Sequence, residues 1–151
     1  MTSVTNKNIG FLSNRELDSI LKSVLEELDL VASSGAHRST TYLAASAIEG
    51  LFGELLKLLN IQPGDVPGTW PNNKNSTSKT LKELKFDERE KILKAAGALP
   101  TDFENLYAPV RGFRNYMHTD RELKDQTPIC QSVGQAAVAC LNAVIEKYSN
   151  Q

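Results

Sequence analysis

The sequence predicts an all-α protein, a bundle of four to six helices. Three observations lead there. Apolar residues recur at helical spacing over most of the chain. No stretch alternates as a strand would, and no internal repeat is present. The 151 residues are 40% apolar and 23% charged, a balance that can bury a core and is not that of a disordered chain.

Met1 to Leu12 reads as a polar arm with the composition of a mobile terminus, and residues 13–150 as a single helical domain. Ser13 or Asn14 is a candidate N-cap. Leu17, Ile20, Leu21, Val24, Leu25, Leu28 and Val31 follow on one helical face, which should end near Ser33–Gly35. A second helix spans about Ala36 to Asn60. Its apolar face is built on Ala44, Ala47, Ile48, Leu51, Phe52 and Leu55, and its small residues suit close approach by another helix. Ile61 to Ser78 is rich in Pro, Gly, Asn and Ser and reads as a loop, with Trp70 folded back onto the core. Two short helices should follow, Lys79 to Lys85 and Asp87 to Ala96, the latter capped by Gly97. Pro100-Thr101-Asp102 opens a helix carrying Phe103, Leu106, Val110, Phe113 and Met117, which Pro109 should kink or restart. A charged turn, Thr119 to Thr127, precedes the last helix, from Pro128 to about Tyr148.

Composition narrows the function classes. The formal net charge of -1 gives no basic excess, so a nucleic-acid surface would have to be a local patch. No apolar run approaches the length of a membrane span, and Met1 to Gly10 lacks the apolar core of a signal peptide. Cys130 and Cys140 lie ten residues apart in one predicted helix, too far for a disulfide; two free thiols and no export signal point to the cytoplasm. Two Cys and two His show no zinc-ligand spacing, so neither a metal nor another cofactor is expected. Lys79, Lys82, Lys85, Lys91 and Lys94 alternate with acids and read as a solvated face.

The chemistry concentrates in Val110 to Asp120. With Arg111 placed at 0° on a helical wheel, His118 falls at roughly 340°, Asn115 at roughly 40° and Arg114 at roughly 300°, with the apolar residues around roughly 240°. Arg114 thus borders the core, while Arg111, Asn115 and His118 share an accessible edge. Glu49, among small apolar residues of the second helix, is the natural partner of Arg114, because a carboxylate there needs a cation. An imidazole moves protons near neutral pH, and a guanidinium holds a phosphate through two parallel hydrogen bonds. Together they could cleave RNA without a metal. His118 would handle the 2′-OH or leaving-group proton, Arg111 would stabilise charge on the phosphate, and Asn115 would orient either. His37 and Arg38, opening the second helix, are candidates for the same cleft.

The segment Val110-Arg111-Gly112-Phe113-Arg114-Asn115-Tyr116-Met117-His118 resembles the Arg–His signature of HEPN-domain proteins, in which four to six residues separate the arginine from the histidine. Arg111 and His118, with six residues between them, fit. The stretch from Ala36-His37-Arg38-Ser39 to Glu49-Gly50-Leu51 also looks like that family's second helix. Thr119 stands where many relatives have Pro. Asp120 stands where toxins paired with nucleotidyltransferase antitoxins have Tyr. The resemblance implies an all-helical, metal-independent endoribonuclease. It would be a homodimer whose Arg–His edges face a shared cleft, acting on RNA as a toxin or antiphage effector beside a cognate antitoxin or other protein partner. The runner-up is a non-catalytic dimer that binds a protein or nucleotide through the same cleft; the near-neutral charge mildly favours it, whereas the intact Arg–His spacing favours the nuclease.

Overall fold

The computed structural model describes residues 5–12, 15–111 and 131–149. Its elements are α1 (Arg15–Ser33), α2 (His37–Leu58), α3 (Phe86–Ala95), α4 (Phe103–Arg111) and α5 (Gln131–Ser149), with no strand among the described residues. The all-α expectation holds. The chain divides into two compact units, Met1–Ile48 with Pro100–Gln151, and Glu49–Leu99. The first half of α2 belongs to one and its second half to the other.

Three helices stop by the same device. Gly35, Asn60 and Gly97 adopt φ of 78°, 51° and 68°. In each case the next residue donates back across the turn: Ala36 to the Val31 carbonyl at 3.1 Å, Ile61 to Leu56 at 3.2 Å and Ala98 to Leu93 at 2.8 Å. This left-handed C-terminal motif satisfies carbonyls that the helix leaves open, and it needs residues that tolerate positive φ.

In the first unit, α1 buries Leu21, Leu25 and Leu28, but Ile20 is exposed although it had been placed on the apolar face. α4 packs against α5, and Phe103, Tyr107 and Val110 of α4 and Ala137, Leu141 and Val144 of α5 are buried. Pro109 neither stops nor restarts α4, which runs through it to Arg111. It stands exposed. The N-terminal arm is not loose over residues 5–12. Ile9 and Leu12 are buried, the Thr5 amide donates to Asp29 Oδ1 at 2.9 Å, and Lys7 pairs with Asp29 at 2.7 Å.

In the second unit, Phe52 of α2 stacks on Phe86 of α3, with centroids 5.3 Å apart. The predicted helix over Lys79–Lys85 shrinks to a 3-10 turn at Leu81–Glu83. Lys85 is extended and serves as N-cap of α3. Its amide donates to Glu88 Oε1 at 2.9 Å, so the segment is spent on starting the next helix rather than on forming its own.

Candidate functional site

Arg111 is the member of the predicted trio that falls within the described residues; Asn115 and His118 lie outside them, as do Arg114 and Cys130. Arg111 is the last described residue of α4 and its side chain is 42% exposed. Its guanidinium is held rather than swinging. Nη1 donates to Glu104 Oε1 at 3.0 Å and Nη2 to Oε2 at 3.1 Å, a bidentate pair that fixes the plane of the group. The cation also lies over the ring of Tyr107, 5.4 Å from its centroid. Tyr107 in turn stacks on Phe103 at 5.1 Å and is fully buried. Core packing thus runs from Phe103 through Tyr107 to the guanidinium. Sequence reasoning missed Glu104, yet the signal was available. On the same wheel Glu104 falls roughly 20° from Arg111, two turns earlier on the same edge.

Glu49 is exposed, so it is not the buried carboxylate from which an ion pair with Arg114 was argued, and Arg114 itself lies outside the described residues. The carboxylate that α2 does bury is Glu54, 5% exposed, which pairs with Lys57 at 3.2 Å one turn on.

His37 and Arg38 separate in role. Half-buried His37 lines a cavity of about 430 Å³ with Gly35, Thr40, Gln131, Gln135 and Asn142. Gly134 of α5 lies close by; a Cβ there would meet Thr40 Cγ2 at 3.4 Å and the His37 carbonyl at 3.6 Å. α5 thus runs close to the start of α2, at distances where a Cβ would make ordinary van der Waals contact. Arg38 is exposed and does not line this cavity; its Nη1 is 3.3 Å from the Tyr42 hydroxyl. Thr40 and Thr41 spend their hydroxyls on the carbonyls of Ala36 and His37, both at 2.8 Å, which steadies the first turn of α2.

Among the described residues, no cluster of His, Cys, Asp and Glu could hold a metal, and no helix is long and apolar enough to cross a membrane. Cys140 is buried in the α5 face. No protein-family model, curated protein or solved structure matches the chain.

Proposed function

We propose that the protein is a HEPN-type endoribonuclease that cuts RNA without a metal and works as a homodimer. The observation that carries the reading is Arg111, half exposed on α4 with its guanidinium plane fixed, seven residues before His118 in the sequence. On a continuous helix seven residues would make about two turns. In this mechanism His118 takes the proton of the ribose 2′-OH. The freed oxygen bonds to the adjacent phosphorus, the P–O5′ bond breaks, and His118 returns the proton to the departing 5′ oxygen. Arg111 stabilises the charge that builds on the phosphoryl oxygens, and Asn115 orients the imidazole. A toxin or defence role beside a protein partner belongs to the same proposal.

The test is cleavage of single-stranded RNA in excess EDTA. Products should end in a 2′,3′-cyclic phosphate, DNA of the same sequence should stay intact, and His118→Ala should abolish cutting while the far-ultraviolet circular dichroism is unchanged. Sedimentation should give a dimer. Cleavage that needs Mg²⁺, or that survives in His118→Ala, overturns the proposal.

One observation favours the second reading, a non-catalytic binding module. Glu104 sits 3.0 Å from Arg111 and offsets the positive charge a phosphate would seek. Under that reading Glu104→Gln changes nothing in RNA cleavage because there is none to change. Under the first, it alters the rate through the orientation of Arg111.

A further inference from the structure

The cavity beside His37 lies within a single unit, between the α1–α2 turn and one face of α5. That face carries a line of carboxamides. Gln131, Gln135 and Asn142 all line the cavity and stand within roughly 40° of one another around the helix. Between them Gly134, Val138 and Ala139 reach the cavity, with little bulk and no side chain that hydrogen-bonds. The three amides differ in what holds them. Asn142 Oδ1 accepts a main-chain N–H, that of Asn6 in the N-terminal arm, at 2.8 Å. Gln131 and Gln135 are exposed, and their side chains make no hydrogen bond among the described residues.

These features separate the ligand classes. No described residue lining the cavity is Lys, Arg, Asp or Glu, so a phosphate or another ion would find no counter-charge there. None is Phe, Tyr or Trp, so a sugar or a base has no broad ring face to lie on. A carboxamide offers both an acceptor and donors and so matches another amide. Asn142 already binds one of that kind, the main chain of the arm. Spacing points the same way. Gln131 and Gln135, four residues apart, are separated by a rise of about 6 Å. An extended chain turns a main-chain amide to the same side about every 6.6 Å. From Gln131 to Asn142 the line runs about 16 Å, the length of about five extended residues.

We propose that this cavity is a docking groove for an extended, uncharged peptide segment of a partner protein, whose main-chain amides pair with Gln131 and Gln135 as Asn6 pairs with Asn142. The site stands apart from the cleavage reading, since it uses neither Arg111 nor His118. The test titrates the isotope-labelled full chain with a capped hexapeptide of alternating alanine and serine, followed by nuclear magnetic resonance. Recognition that falls on the main chain asks little of sequence. The side-chain amide resonances of Gln131 and Gln135 should move saturably at millimolar peptide, while those of Gln62, in the other unit, stay in place. The same peptide N-methylated throughout should bind at least about fivefold more weakly, the scale of one lost hydrogen bond. A neutral oligosaccharide and a trinucleotide should move neither glutamine. Gln131→Ala combined with Gln135→Ala should weaken binding about tenfold, read at the Gly134 and His37 main-chain amides. Ala139→Tyr, at an exposed position, should block binding by filling the groove. Unchanged circular dichroism shows that both variants keep the fold. Glutamine resonances that ignore the peptide, equal binding of the N-methylated peptide, a response to the oligosaccharide or trinucleotide, or affinity untouched by the double alanine variant overturns the groove.

Discussion

Along α4 the Arg111 guanidinium and the Glu104 carboxylate, 42% and 46% exposed, hold each other through two hydrogen bonds. Exposed ion pairs contribute about 0–1 kcal/mol, because water screens them and ordering two side chains costs entropy. Contact with the Tyr107 ring adds about as much again at such a site. Arg111→Ala should therefore lower stability by about 2 kcal/mol at most, measured by urea denaturation. If the nuclease reading is right, the same change should slow RNA cleavage about a hundredfold or more, as loss of one group stabilising a phosphoryl charge does. A large loss of stability would instead make Arg111 a structural residue. The second residue-scale case is Glu88. Its carboxyl is held below the ordinary value of 4.5 chiefly by the Lys85 amide, which donates to it, with Lys79 adding charge and a hydrogen bond against the opposing effect of burial. The folded state thus keeps this group ionised where the unfolded chain takes up a proton. Its contribution is fully present above pH 4.5 and disappears as pH falls through the lowered folded value. Glu88→Gln should destabilise the protein at pH 7 while making the decline below pH 4.5 shallower, visible in melting temperatures taken between pH 7 and 3. An equally steep acid decline in the variant would remove Glu88 from the account.

At the scale of elements, two glycines should respond in opposite senses to alanine. Gly35 has φ of 78° and open space around it. Nothing would clash, so the whole effect of Gly35→Ala is the left-handed backbone that a Cβ disfavours, a loss of about 1–2 kcal/mol. Gly134 lies inside α5 at ordinary helical φ, and a Cβ there meets Thr40 Cγ2 at 3.4 Å. Alanine gains about 1 kcal/mol of helix propensity over glycine and gives back a part to that contact. Gly134→Ala should thus be neutral or stabilising by thermal melts, and a clear loss would mean that α5 has no room to move from α2. These positions also show what the sequence made legible. Gly35 and Gly97 mark helix ends in the sequence because a positive φ selects residue type. The stripe of α2 could be read because burial repeats every three or four residues over a long helix. Lys79–Lys85 misled because a few residues contain too little periodicity to separate a helix from an approach to a cap. The cavity beside His37 was not legible, since its walls come from the end of α1, the start of α2 and α5, which only the folded backbone brings together. Arg111 was legible as an edge residue, whereas Glu104 was overlooked because it lies before Pro109, where the helix was expected to break.

For the molecule as a whole, the instructive region is the polar arm. Its composition says solvent, since Thr5, Asn6, Lys7 and Asn8 give no apolar stripe. Its polar groups nevertheless find partners on separate helices. The Thr5 amide and Lys7 reach Asp29 of α1, at 2.9 and 2.7 Å, and the Asn6 amide donates to Asn142 Oδ1 of α5 at 2.8 Å. Ile9, 1% exposed, and Leu12, 9% exposed, then supply the apolar burial that a loose arm would lack. Phe11 sits against Tyr148 at 5.8 Å. Ordering eight residues costs about 1–2 kcal/mol each in backbone entropy, comparable to what these contacts return, so the arm's net contribution is modest and rests on its best-buried residue. Ile→Ala in a core typically costs about 2–5 kcal/mol. Here the arm can detach instead of tolerating a cavity, which caps the loss near the low end. Ile9→Ala should therefore lower the unfolding free energy by about 2 kcal/mol, whereas Asn8→Ala, exposed on the same arm, should stay within about 0.5 kcal/mol. Urea denaturation of both variants checks this, with amide hydrogen exchange at Thr5 and Asn6 as a second readout: protection should be lost in Ile9→Ala and kept in Asn8→Ala. If the two variants are equally stable and exchange alike, the arm is held by its polar bonds alone, and the anchoring assigned to Ile9 is wrong.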